Sequence, residues 1–312
     1  MTDLNTSEKE NFSSTKTNFE NKVRIVALIE YVGTFFHGLQ MQSHHQTIQS
    51  TLEKALSKLK VPFSGMAFSG RTDAGVHALG QVWHFDLPAD MAENRINTLQ
   101  MALNAYLPET ISVKQLKVAF HPDFHSRNHA IAKWYRYRIY CNPYRSAWAM
   151  QNGAAHIWES LDVEAMREAF ALLQGEHCFT SFKNLNTTVK SDICNIFYTE
   201  INELGPFLEL NVVANRFLYK MVRTIVGQLL VIGRQSRSGS ASQSILDVLA
   251  QKDRRAAAPP APAHGLTLMA VQYPQHLRHF EDDAWVQQLN TMITLSKMEP
   301  HSHAKDLFGK AS

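Results

Sequence analysis

From residue 22 onward, the chain alternates between short β-branched runs and stripes of apolar residues at helical spacing. The run VRIVALIEY, residues 23–31, is short, apolar and β-branched, which predicts a strand. Thr47 then precedes Ile48, Leu52, Ala55, Leu56 and Leu59, a one-faced helical stripe behind a hydroxyl N-cap. An apolar run at residues 66–68 leads into a glycine-rich loop, and GQVWHFD follows as a strand. Ile96, Leu99 and Leu103 predict a second helix that ends before Pro108. Two further strands are expected at residues 111–118 and 134–141. The second half continues in the same style. Val163, Met166, Phe170 and Leu173 predict a helix stopped by Gly175. Strands follow near residues 193–201 and 207–213. Val222, Ile225, Val226 and Leu229 mark a helix, with a shorter one near residues 245–250. LTLMAVQY reads as the last strand, and only residues 285–295 show helical periodicity after it.

This is an α+β pattern in two halves of similar element order, without close sequence repetition. Residues 1–20 are rich in Ser, Thr, Asn and Glu and are expected to be a disordered tail. Residues 21–145 form a first lobe, residues 146–275 a second, and residues 276–312 a C-terminal extension. The boundary is expected in the loop at residues 142–152. A chain of 312 residues that is 45% hydrophobic and 19% charged is long enough for two lobes and ordinary for a globular protein.

The net charge of +3 does not by itself indicate a polyanionic partner. Its distribution is more telling. Residues 124–158 contain no Asp or Glu but carry Arg127, Lys133, Arg136, Arg138 and Arg145, interleaved with Trp134, Tyr135, Tyr137 and Tyr140. Residues 210–246 are also free of acids and carry Arg216, Lys220, Arg223, Arg234 and Arg237. These stretches form either one phosphate-tracking groove or two solvated faces. The three cysteines, Cys141, Cys178 and Cys194, are widely spaced and form no CxxC pair, so neither a disulfide framework nor a zinc ribbon is expected. No apolar run reaches about 18 residues and no signal pattern opens the chain, so a cytoplasmic setting without a membrane span is expected. His121, His125 and His129 repeat every four residues, but the Pro122–Asp123 interruption argues against a helical metal site.

The segment SGRTDAGVHALGQV, residues 69–82, is the most informative. Gly70, Gly75 and Gly80 permit tight turns and close backbone approach. Arg71 and Asp73 stand two apart, which in extended backbone puts them on one side. A guanidinium beside a carboxylate favours the charged form that a nucleophile requires. The same residues also fit a surface loop with a local ion pair. The loop matches neither the Walker pattern nor GxGxxG.

GRTDAGVHALGQV closely resembles the signature of the TruA family of tRNA pseudouridine synthases. YVGTFFHGLQMQ, LNAYLP, FHSRNHAIAKWYRY, GEHCFTSF, NRFLYKMVRTIVG and HGLTLMAVQYP extend the resemblance, in order, over residues 22–275. It implies a pseudouridine synthase fold: two similar lobes with mainly antiparallel sheets, flanked by helices, around a basic cleft. It implies an isomerase that converts uridine to pseudouridine at positions 38, 39 and 40 of the tRNA anticodon stem-loop, working without cofactor or metal as a homodimer. Asp73 falls on the family's catalytic aspartate, which acts on ribose or base or assists glycal formation. Tyr135 falls on the active-site tyrosine and Arg223 on the arginine that pairs with the aspartate. Arg71 matches the motif arginine that holds the flipped conformation, and Leu266 a pocket leucine under the base. Arg127 and Lys133 are expected to bind the RNA backbone, while Tyr137 reads as a packed strand tyrosine. Val32, Leu39, Cys178 and Lys190 depart from the family's usual Asp, Trp, Asp and Arg, and loss of an acid at position 32 is expected to alter an ion pair in the cleft. The remaining alternatives are a non-catalytic RNA-binding protein or RNA chaperone on this scaffold, and a hydrolase, for which no second matched carboxylate is present.

Overall fold

The first predicted strand forms as β1 (Lys22–Tyr31). Helix α1 (Ile48–Lys58) starts at Thr47, whose Oγ1 accepts from the Ser50 amide while the Ser50 hydroxyl accepts from the Thr47 amide, so two orphan donors of the first turn are satisfied reciprocally. β2 (Ser64–Phe68), β3 (His77–Pro88), α2 (Ala89–Tyr106), β4 (Ile111–Val118) and β5 (Ala132–Cys141) follow. The second half adds α3 (Ala147–Gln151), β6 (Ala155–Ile157), α4 (Val163–Ala171), β7 (Gly175–Cys178), β8 (Ile193–Leu204) and β9 (Phe207–Ala214). It ends with α5 (Met221–Arg237), α6 (Ile245–Gln251), β10 (Leu266–Gln272) and α7 (Ala284–Met298). This computed structural model describes residues 21–185, 187, 189–237 and 244–298. The expected tail at residues 1–20 and the end of the C-terminal extension, residues 299–312, lie outside them.

α3, β6 and β7 are absent from the sequence expectation because elements of three to five residues are too short to display a period. Gly175 differs from its expected role. α4 ends at Ala171 with Leu172 as its cap, and Gly175, at φ +94°, opens β7 instead.

Among the described residues, all ten strands belong to one sheet in the order β4-β1-β3-β10-β5-β9-β8-β7, with β2 on β3 and β6 on β5. The pairs are antiparallel except β10 with β3 and β5 with β6. β10 comes from the far end of the described chain yet sits between β3 and β5, so one sheet runs through both halves. Side chains alternate along β5. Trp134 joins Val213, Ala270 and Met269 beneath α7. Tyr135, Tyr137 and Ile139 join the larger cluster that includes Met221 and Ile225 of α5. The α5 face is the one that carries the site.

One buried clamp fixes the turn between β4 and β5. Phe124 is fully buried, with His84, Tyr273 and His279 rings around it. The Ser126 amide donates to His84 Nδ1 at 3.1 Å, and the Tyr273 hydroxyl donates to the Ser126 carbonyl at 2.6 Å. A ring nitrogen that accepts from an amide must be unprotonated. Burial, then Arg24, pushes the His84 pKa from its ordinary 6.5 down to about 3, and burial takes His279 down to about 4. The neutral rings therefore stabilise the fold fully above pH 6.5, and this contribution is lost as pH falls toward 4 and 3. Urea unfolding is expected to show stability declining between pH 6.5 and 4.5, by up to about 1.4 kcal/mol per pH unit for each histidine. His84→Gln should flatten that slope, and a wild-type stability constant across this range would rule the clamp out as a source of acid lability.

Candidate active site

The motif loop leaves β2 and returns into β3, and its neighbours hold it closely. The Leu39 amide donates to the Thr72 carbonyl at 3.1 Å, and the Gly75 amide donates to the Phe36 carbonyl at 3.3 Å. Within the loop, the Val76 amide closes a turn on the Asp73 carbonyl at 3.1 Å. The Tyr31 hydroxyl and Thr72 Oγ1 meet at 2.7 Å in a buried contact. Two glycines make this approach possible. Gly38 has φ +87°, and a Cβ there would sit 2.9 Å from the Thr72 carbonyl oxygen, while Gly75 turns the loop at φ +80°. Asp73 is thereby fixed on backbone contributed by two segments of the first half.

Its cation comes from the second half. Arg223, in the first turn of α5, donates from Nη1 to Asp73 Oδ2 at 2.8 Å, and the two side chains are 14% and 16% exposed. Arg223 Nε also donates to the Ala261 carbonyl at 2.8 Å, and the Ala261 amide returns a bond to the Arg223 carbonyl at 2.9 Å. The guanidinium is thus oriented by a second anchor. The local pair expected between Arg71 and Asp73 does not form. The turn at Asp73 breaks the extended geometry on which that expectation rests, and Arg71 is exposed with no hydrogen bond or ion pair to any described residue.

Asp73 opens into a cleft of about 920 Å³ that Arg71, Arg127, Lys133, Tyr135, Arg223 and Leu266 also line. The seven residues given a catalytic or substrate-binding role in the sequence analysis therefore meet in one place. Tyr135 is 7% exposed and packs edge-on against Phe217 at 5.1 Å. Burial, then Tyr31 and Asp73, pushes its phenol far above the ordinary value, so it is present as a donor. Leu266 lies opposite Tyr137 in the β10–β5 register and is 6% exposed. Tyr137 is structural: it is fully buried and its hydroxyl donates to the Pro262 carbonyl at 2.9 Å. Lys133 is pushed down to about 8 by burial and then by Arg127 and Arg216.

The two basic stretches do not line one groove throughout. Strand alternation sends Arg136 and Arg138 to the other face, where both pair with Glu209, at 3.3 and 3.1 Å. Arg234 pairs with Glu159 at 3.0 Å. Several cleft residues were not assigned a site role from sequence: Arg216, Phe217, Tyr219, Lys220 and His37, whose ring stacks on that of His45 at 4.0 Å. Arg216 and Lys220 were visible as members of an acid-free stretch, but only the turn into α5 selects them over Arg234 and Arg237.

The departures divide similarly. Leu39 is buried and lines the cleft. Val32 does not; it borders a separate cavity of about 320 Å³ beside Arg136 and Glu209, so no ion pair of the cleft depends on it. Cys178 lies 3.2 Å from Thr180 Oγ1, and Thr180 and Lys183 both donate to Asp192. Lys190 is exposed. His121, His125 and His129 lie in turns, where ring nitrogens accept from the Asp123, Arg127 and His125 amides.

A family model described as tRNA pseudouridine synthase matches residues 27–127 and 169–274, about two thirds of the chain. These spans contain Arg71, Asp73, Arg127, Arg223 and Leu266, while Lys133 and Tyr135 fall between them. The tRNA pseudouridine synthase A of Geobacillus kaustophilus is 43% identical over 251 residues, covering 80% of this chain and 94% of that one. That of Shouchella clausii is 42% identical over 258 residues, covering 81% and 95%. That of Vibrio cholerae is 40% identical over 254 residues, covering 81% and 93%.

The ion pair between the halves should register in stability as well as in chemistry. Asp73→Asn and Arg223→Met, alone and combined, are expected to show a coupling of about 0.5–3 kcal/mol in urea unfolding, the double variant losing less than the sum of the singles. Strict additivity would mean that the pair contributes nothing to joining the halves.

Proposed function

The chain belongs to the tRNA pseudouridine synthase family, and from that premise we propose that Asp73 is its catalytic carboxylate, acting on uridines at positions 38, 39 and 40 of the anticodon stem-loop. The protein isomerises uridine to pseudouridine in tRNA. The observation that carries the assignment is the Asp73–Arg223 pair inside a basic cleft.

The reaction breaks the C1′–N1 bond, turns the uracil and forms a C1′–C5 bond. A proton leaves C5 and one arrives at N1, so the atoms balance within one nucleoside and no redox partner is required. In this reading Asp73 supplies the negative charge at the reacting carbon, and Arg223 orients it. A uridine in a stacked stem must leave its stack to reach Asp73, which costs a few kcal/mol. Tyr135 and Leu266 receive the extruded base, the tyrosine with its ring and a donating hydroxyl. Arg71, with no hydrogen-bond or ion-pair partner among the described residues, holds the flipped arrangement. Arg127 and Lys133 neutralise backbone phosphate. We assign the work to a homodimer in the cytoplasm; no helix of the described residues is long and apolar enough to cross a membrane. A non-catalytic RNA-binding protein on the same scaffold is disfavoured, because such a protein has no use for a carboxylate held in a cleft that should attract phosphate.

Pseudouridine mapping of a transcript with uridines at positions 38–40, incubated with the purified protein and no added cofactor, tests this directly. Wild type is expected to modify those positions. Asp73→Ala should lower the rate by about 10³-fold or more while tRNA affinity changes little. Undiminished product from Asp73→Ala would overturn the assignment of Asp73. Tight binding without product from wild type would favour the non-catalytic alternative.

A further inference from the structure

Three residues of the described chain other than glycine have left-handed backbone: Lys60, Lys220 and Lys252. Two have an ordinary explanation. Lys60 follows the C-terminal end of α1, and Lys252 caps the C-terminus of α6. A left-handed residue is a common way to end a helix, and a cation suits the carbonyl end. Lys220 has neither reason. At φ +63° it stands immediately before α5, so its charge lies at the amide end of a helix, where the dipole disfavours it. A glycine would be cheaper in this conformation, and an acid would suit the charge. A residue that breaks two local rules beside a reaction site points to a role in that site.

Its neighbour is turned toward the same cleft. In the connection between β9 and α5, Leu218 is buried and Phe217 packs on Tyr135, but Tyr219 is 46% exposed and lines the cleft. The Tyr219 carbonyl is held by the Asn184 amide at 2.9 Å, and the Lys220 carbonyl accepts from both the amide and the hydroxyl of Thr224. The backbone is thus fixed while the ring is presented. The Lys220 ammonium lies 5.2 Å from the centre of that ring and has no carboxylate partner among the described residues. Tyr219 lines the same cleft as Asp73 and Arg223, and burial, then the Asp73 carboxylate, raises its phenol above the ordinary value.

We propose that Tyr219 and Lys220 form a seat for the nucleotide next to the extruded uridine, Tyr219 taking the face of its base and Lys220 its phosphate. The proposal rests on the reading of the cleft as a site for a flipped uridine. Extruding one base leaves its neighbour with an uncovered face. Tyr135 is too deeply buried to cover it, whereas an exposed ring at the cleft mouth with a cation beside it supplies both stacking and charge.

The test is a binding cycle on an anticodon-arm RNA that is intact, abasic on the 5′ side of the target uridine, or abasic on the 3′ side. The full-length protein is used as wild type, Tyr219→Phe, Tyr219→Ala and Lys220→Gly. Tyr219→Ala is expected to raise Kd for intact RNA about tenfold. Tyr219→Phe should stay near wild type, and the loss in Tyr219→Ala should vanish on one of the two abasic RNAs. An equal loss on all three RNAs would overturn the stacking role, since a structural defect does not sense one missing base. Lys220→Gly relaxes the left-handed residue and so keeps the fold. It should lower the slope of log Kd against log salt by about 0.7–0.9, the equivalent of one phosphate. An unchanged slope would overturn the phosphate contact. Pseudouridine formation by wild type on the intact RNA is scored separately, so failure of the parent reading and failure of this seat are told apart.

Discussion

The site depends on an ion pair that spans 150 residues of sequence, between Asp73 on a loop of the first half and Arg223 on the first turn of α5. Neither side chain is placed by its own surroundings alone. Asp73 is fixed because Gly38 lets the loop backbone approach to within contact, and Arg223 because Ala261 holds its Nε. A carboxylate that is 16% exposed needs a partner, since an unpaired charge at that depth would be costly. The pair therefore joins the halves and also points the carboxylate. The sheet makes this geometry available: β10 sits between β3 and β5, so the strand that opens from the motif loop, the Leu266 strand and the Tyr135 strand are consecutive neighbours.

Long periodic elements were legible in the sequence for a simple reason. The stripe Ile48–Leu52–Ala55–Leu56 buries one face at the helix's own period, the run Ile25 to Ile29 is a continuous apolar strand buried on both faces, and all nine are nearly inaccessible. α3, β6 and β7 were not legible, because a period cannot be read from three to five residues. The single continuous sheet was not legible either. The position of β10 is a long-range pairing of two residues with β3, which no local pattern records. The site residues were assembled by resemblance and not by spacing, and the one relation that spacing did predict, Arg71 beside Asp73, is replaced by a partner from α5. Strand alternation could have divided the basic stretch in advance: residues 133 and 135 share a face, and 134, 136 and 138 share the other. What could not be foreseen is that Glu209 waits on that second face to neutralise Arg136 and Arg138.

That division explains how a chain with a net charge of only +3 can present a strongly basic cleft. Arg136, Arg138 and Arg234 are spent on carboxylates outside the cleft, and Asp73 and Arg223 offset each other within it. Arg71, Arg127, Lys133, Arg216 and Lys220 remain, none with a carboxylate at ion-pair distance among the described residues. Their mutual repulsion is visible in Lys133, which burial and the neighbouring Arg127 and Arg216 push down to about 8. A set of like charges gathered without counterions is unfavourable in the free protein and is relieved when an anion enters. Because the cations surround the carboxylate without pairing to it, a polyanion can approach Asp73 despite sharing its sign. On the function proposed above, the geometry separates two electrostatic tasks: the paired arginine would keep the carboxylate in place for chemistry, and the unpaired cations would hold the backbone whose base is to be turned.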